Sequence, residues 1–246
     1  MEARTIEYRD REGRSMIGHL YVPQVTAGPV PAVAVVPEAP GSGPMPRKRA
    51  AMLAEMGFAA LVVDLYGDGL FTGYTPEANT RAQAMLADPA LLLARVASGV
   101  DALTAQEEVD ADRVAAIGYC LGGKGVLDLA RAGAPIRAAV AFHGLLAPYR
   151  ADLQTTPSAN ILLLTGARDP LVPSTDVAKF CDEMSEAGAS YRVTIFGNAG
   201  HAFTSFDVPR GTMPPELGDF GFDEEADQLA WSATEVFLRD NLEGPV

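Results

Sequence analysis

Val114-Ala115-Ala116-Ile117-Gly118-Tyr119-Cys120-Leu121-Gly122-Gly123 is the stretch on which the reading of this chain turns. Val114 to Ile117 is a short, uninterrupted apolar run, the pattern of a strand buried on both faces. Gly122 to Ala132 reads as a helix. Between them stands G-x-C-x-G, the form of a nucleophile elbow with cysteine in the usual serine position. In so tight a strand-to-helix turn the residues flanking the apex crowd one another, and Gly118 and Gly122 remove the side chains that would clash. The turn also puts Cys120 at a helix N-terminus, where the dipole favours thiolate over thiol. The plain alternative is a buried structural cysteine at a glycine-rich junction.

Outward from this stretch the chain alternates. Thr5 to Tyr8 and Met16 to Val22 read as strands around the turn Asp10-Arg11-Glu12-Gly13. Ala32 to Val36 and Ala59 to Val63 are buried strands separated by a helix from Arg47 to Met56, and Ala90 to Ala105 is helical. Ala138 to Phe142, Ile161 to Leu164 and Tyr191 to Ile195 are further strands, with a helix from Thr175 to Ala187. Glu224 to Leu242 closes the chain as an amphipathic helix with Ala226, Leu229, Ala233, Val236 and Phe237 on one face. Such alternation predicts a single α/β domain over 1–246, with a mostly parallel sheet covered by helices on both faces. Functional groups then gather beyond the carboxyl ends of the strands.

Two further strand ends fit that rule. Gly166-Ala167-Arg168-Asp169-Pro170 follows the strand Ile161 to Leu164, and an aspartate there can accept a histidine N–H and fix its tautomer. Gly200-His201-Ala202-Phe203 follows the strand Tyr191 to Ile195. Taken singly, Asp169 could be a turn former and His201 an exposed loop residue. Together, the order nucleophile, acid, histidine is that of the α/β-hydrolase fold, and it differs from the Cys, His, Asn order of papain-like enzymes.

At 246 residues with 48% hydrophobic content, the chain can build a large core. A net charge of −13 argues against nucleic acid and anionic membrane surfaces as partners. Two cysteines and three histidines (His19, His143, His201) predict neither a disulfide framework nor a structural metal, and no cofactor motif is present. The N-terminal residues lack the pattern of a signal peptide, and no apolar run is long enough for a membrane span. The expectation is a cytoplasmic enzyme, a monomer or weak homodimer, acting on a small molecule.

These residues resemble the dienelactone hydrolase family over nearly the whole chain. The matching segments are Val35-Val36-Pro37-Glu38, Asp64-Leu65-Tyr66-Gly67, Ile117 to Gly123, Phe142-His143-Gly144, Gly166 to Pro170 and Gly200 to Phe203. The resemblance implies a hydrolase of a lactone or ester with the triad Cys120, Asp169 and His201. It also implies a role for Glu38, a carboxylate that in the family contacts the thiol and helps to activate it when substrate arrives. Backbone N–H groups of Leu121 and Ala39 would form the oxyanion hole of this fold. The family's type enzymes hold a substrate carboxylate with arginines, one of them shortly after the catalytic histidine. Here that stretch is His201-Ala202-Phe203-Thr204-Ser205, without arginine; Arg210 lies nearby without matching the position, and Arg81 follows the loop after Tyr66.

The long loops Asp64 to Thr80, with Tyr66, Phe71 and Tyr74, and Thr204 to Phe222, with Phe206, Pro209, Pro214 and Pro215, are expected to shape the pocket. Tyr66, His143 and Phe203 are the candidate substrate contacts, with a core or rim position the alternative for His143. Arg47, Lys48 and Arg49 read as a solvated helix face. A broad carboxylesterase or thioesterase is the competing enzyme reading, and a non-catalytic thiol sensor the competing class.

Overall fold

The computed structural model describes residues 3–24, 28–149, 156–211 and 215–244. Met1, Glu2 and the loop residue Pro214 thus lie outside the described residues. Eight strands form one sheet in the order β1-β2-β4-β3-β5-β6-β7-β8. They are β1 (Arg4–Arg9), β2 (Ser15–Tyr21), β3 (Val30–Val36), β4 (Ala59–Val62), β5 (Val109–Tyr119), β6 (Ala138–Phe142), β7 (Asn160–Gly166) and β8 (Tyr191–Phe196). β1 and β2 run antiparallel at one end, and every pairing from β4 through β8 is parallel.

Strand order explains where the site lies. From β3 the chain crosses outward to β4 and then returns past β3 to β5. The carboxyl ends of β3 and β5 therefore flank the point where the winding reverses, the place such sheets reserve for function. Glu38 follows β3, and Cys120 follows β5.

The apolar strands divide their side chains between two layers. Val33, Val35, Ala115 and Ile117 pack against α1 (Pro44–Glu55) and α6 (Glu224–Leu242). Ala32, Ala34, Val36, Val114 and Ala116 face the other layer, α2 (Pro76–Ala87), α3 (Pro89–Thr104), α4 (Leu121–Arg131) and α5 (Ser174–Glu186). This is the α/β-hydrolase architecture expected from the alternation, with a mixed rather than wholly parallel sheet.

Three expectations are corrected. The loop expected over Asp64 to Thr80 ends at Thr75, whose side chain caps α2 by accepting Ala78 N–H, with Pro76 in the first turn. The Thr75-Pro76 pair is a start signal that the loop reading passed over. On α6 the buried stripe is Ala226, Ala230, Trp231, Thr234, Phe237 and Leu238, whereas Leu229 and Val236 are 55% and 58% exposed. Nor is Arg49 part of a solvated face: it is buried, pairs with Asp227 and lies over the Trp231 ring.

Candidate active site

Cys120 occupies the apex of the turn between β5 and α4 with φ +50° and ψ −112°, a conformation that only a tightly braced non-glycine residue keeps. The braces are backbone. Cys120 N–H donates to Phe142 O at 3.0 Å, and Lys124 N–H donates to Cys120 O at 3.1 Å. A Cβ on Gly118 would sit 2.2 Å from Gly122 O, and one on Gly122 would sit 2.3 Å from Val36 O. The crowding expected of the motif is real, and it also presses the elbow against the end of β3. The thiol remains half-buried rather than sealed.

His201, beyond the end of β8, reaches this sulfur, and Asp169, beyond the end of β7, reaches His201. His201 Nε2 lies 3.1 Å from Cys120 Sγ, and Nδ1 lies 2.9 Å from Asp169 Oδ2. The other Asp169 oxygen accepts the N–H groups of Leu171 and Val172 at 2.8 and 3.2 Å, which fixes the carboxylate in the turn. Burial disfavours the charged ring of His201. The negative charge of an ionised Cys120 and the hydrogen bonds to Asp169 and Cys120 outweigh it, and the imidazole is pushed up to about 10. The arrangement favours a proton held on His201.

The loop after β4 is built around Asp64, which is fully buried. One of its oxygens accepts Tyr66 and Gly67 N–H, the other Ile17 and Gly69 N–H. This turn seats Tyr66, whose hydroxyl donates to Ala39 O at 2.9 Å and so anchors the peptide after Glu38. Tyr66 is 3% exposed, a support of the loop more than an open surface.

Glu38 is buried, and both its oxygens are occupied: one accepts the Tyr74 hydroxyl, the other the Ser205 hydroxyl at 2.8 Å. Burial raises its carboxyl to about 7 against the opposing effect of these two hydrogen bonds. The Tyr74 hydroxyl also lies 3.4 Å from Asp207 Oδ1, linking the loops after β4 and β8. Tyr74 and Ser205 were visible in the sequence only as a loop aromatic and a loop serine; no spacing ties either to Glu38.

His143 and Phe203, the other candidate substrate contacts, are both 0% exposed, and the His143 ring packs on that of His201. Phe203 packs on His143 and Phe196, with ring centroids 5.3 and 5.4 Å apart. Sequence reading also missed Asp219 and Phe220, far from any motif. His201 N–H donates to Asp219 O at 2.9 Å, Gly221 N–H donates to His201 O at 2.8 Å, and the Phe220 ring lies 4.9 Å from the His201 ring. Arg210 ties this segment down, donating to Asp219, Asp223 and the carbonyl of Asn198. Arg81 pairs with Glu77 within α2.

Among the described residues no helix is long and apolar enough to cross a membrane. The dienelactone hydrolase family model matches residues 16–242. A Bradyrhizobium protein named "Probable 2-oxo-3-(5-oxofuran-2-ylidene)propanoate lactonase" is 32% identical, with 94% of this chain and 92% of that protein covered. Among solved structures, a dienelactone hydrolase-like promiscuous phosphotriesterase from metagenomic libraries superposes with a TM-score of 0.87 at 36% identity, covering 97% of this chain and 98% of its own. A structure named m3DLH superposes with a TM-score of 0.90 at 33% identity, covering 98% of each chain. With its fold and nearly its whole length matched, the chain belongs to the dienelactone hydrolase family.

Proposed function

We propose that this hydrolase cleaves a small carboxylic ester or lactone through a thioester on Cys120. The observation that carries the reading is the unbroken line from Cys120 Sγ through both nitrogens of His201 to Asp169. Thiolate attack on the carbonyl forms a tetrahedral oxyanion, for which the N–H groups of Leu121, in the first turn of α4, and Ala39 are the donors. Collapse expels the alkoxide or enolate, which takes a proton from His201. The neutral imidazole then removes a proton from water, whose attack on the thioester releases the acid and restores the thiolate. A thiolate is itself a good leaving group, so the forward path needs a substrate whose oxygen departs readily. Enol lactones and aryl esters meet that condition.

Glu38 is assigned the support of thiolate formation. Its carboxyl is held by Tyr74 and Ser205 in this resting arrangement, so that role requires it to leave one of them. The Bradyrhizobium relative is named for a substrate bearing a carboxylate. A carboxylate-bearing lactone therefore belongs in the substrate panel.

The test is hydrolysis of p-nitrophenyl acetate by the native protein and by Cys120→Ala. The variant should lose roughly 10³-fold or more of the activity, and equal rates would refute a Cys120 nucleophile. A panel of dienelactones, simple lactones, aryl esters, thioesters and a phosphotriester then separates a lactonase from a broad esterase.

A further inference from the structure

His143 is a buried titratable group that packs against the His201 ring and is unused by this mechanism. His143 follows β6, is 0% exposed, and takes φ +39°. Its Nε2 lies 2.8 Å from Thr204 Oγ1, and Thr204 is equally buried. Its ring meets that of His201 at 65° with centroids 4.9 Å apart. Among the described residues, four other than glycine have positive φ: Asp68, Cys120, His143 and Ala202. Cys120 bonds to His201, Ala202 follows it in the chain, and His143 packs on its ring. Backbone strain of this kind persists only where the surroundings over-determine it.

Two hydrogen bonds along the Nδ1–Nε2 axis set the distances at the ends of the His201 ring, but they resist tilting about that axis only weakly. The two rings against it, His143 and Phe220, supply that resistance. Phe220 needs no orientation of its own. His143 does, and Thr204 is the side chain that gives it one. We propose that the His143–Thr204 pair is a positioning device that holds the His201 imidazole in line with the Cys120 sulfur. Burial and the neighbouring charge of His201 hold His143 well below the usual histidine range, so it remains a neutral wall while His201 carries the proton.

The experiment uses Thr204, because replacing His143 at a left-handed backbone position risks the fold. Thr204→Val keeps the shape and removes the hydroxyl; Thr204→Ser restores the hydroxyl. Two readouts are followed in protein of confirmed native thermal midpoint: kcat and KM for p-nitrophenyl acetate, and the rate of Cys120 alkylation by iodoacetamide. Thr204→Val should lower kcat about tenfold with KM within about twofold. Alkylation should slow alongside it, and Thr204→Ser should return both to within about twofold of native. A folded Thr204→Val protein with native kcat and alkylation overturns the proposal, as does a loss that Thr204→Ser fails to restore. His143→Asn, which tolerates the backbone and keeps a polar side chain, should retain more alkylation than His143→Leu; the reverse order also overturns it. The kinetic arm rests on the Cys120 reading, whereas alkylation reports the sulfur without any substrate. Full esterase activity in Cys120→Ala would therefore sink the nucleophile while leaving the alignment of His201 testable.

Discussion

Glu38 is the residue whose protonation the fold alters most usefully. Its carboxyl rises from 4.5 to about 7, with burial the largest cause. Between these values the folded chain holds a proton that the unfolded chain has released, so this group stabilises the fold fully below about 4.5 and ceases to do so as pH climbs through about 7. Thermal midpoints of the native protein should therefore fall across that window relative to Glu38→Gln, which keeps the shape without the titration; parallel curves would show that the carboxyl is not buried as described. The position of Glu38 was legible from the segment after β3, and those of Cys120, Asp169 and His201 from their strand ends. What holds them was not. Tyr74, Ser205, Thr204 and Phe220 act through contacts between loops distant in the chain, and no local pattern announces such contacts.

At the level of elements, apolar runs with glycine-rich ends made the parallel strands readable, because a strand buried on both faces has little choice of residue. Helix faces were harder. The face expected on α6 mixed Leu229 and Val236 with Ala226 and Phe237, although the first two point to solvent. Small or polar residues misled the count: Ala230 and Thr234 are 0% exposed, and the Thr234 hydroxyl satisfies itself by donating to Ala230 O at 2.8 Å. The correction has a direct check by urea unfolding. Leu229→Lys and Val236→Lys should each change stability by no more than about 0.5 kcal/mol, while Phe237→Ala should cost about 3–5 kcal/mol. Comparable losses at all three would restore the original face.

Across the whole molecule, charge is spent inside as well as on the surface. Asp128 on α4 lies between Lys124 at 2.6 Å and Arg131 at 3.1 Å. Lys124 also donates to Ala147 O, and Arg131 to Leu146 O and to Glu183 of α5. The network fastens the helix that begins at the elbow to the segment after β6 and to a neighbouring helix, and all three central groups are buried. Asp128→Ala removes the anion between two buried cations and should cost about 3–5 kcal/mol, read as a lowered denaturation midpoint; a loss under about 1 kcal/mol would mean that water reaches these groups. The closing segment carries a different consequence. Asp219, Phe220 and Gly221 brace His201, and Asp223 N–H donates to Phe203 O at 3.0 Å just before α6 begins. In chain order Cys120, Asp169 and His201 all precede this stretch, so His201 is held in place only after residues 219–223 have been made and have docked against it.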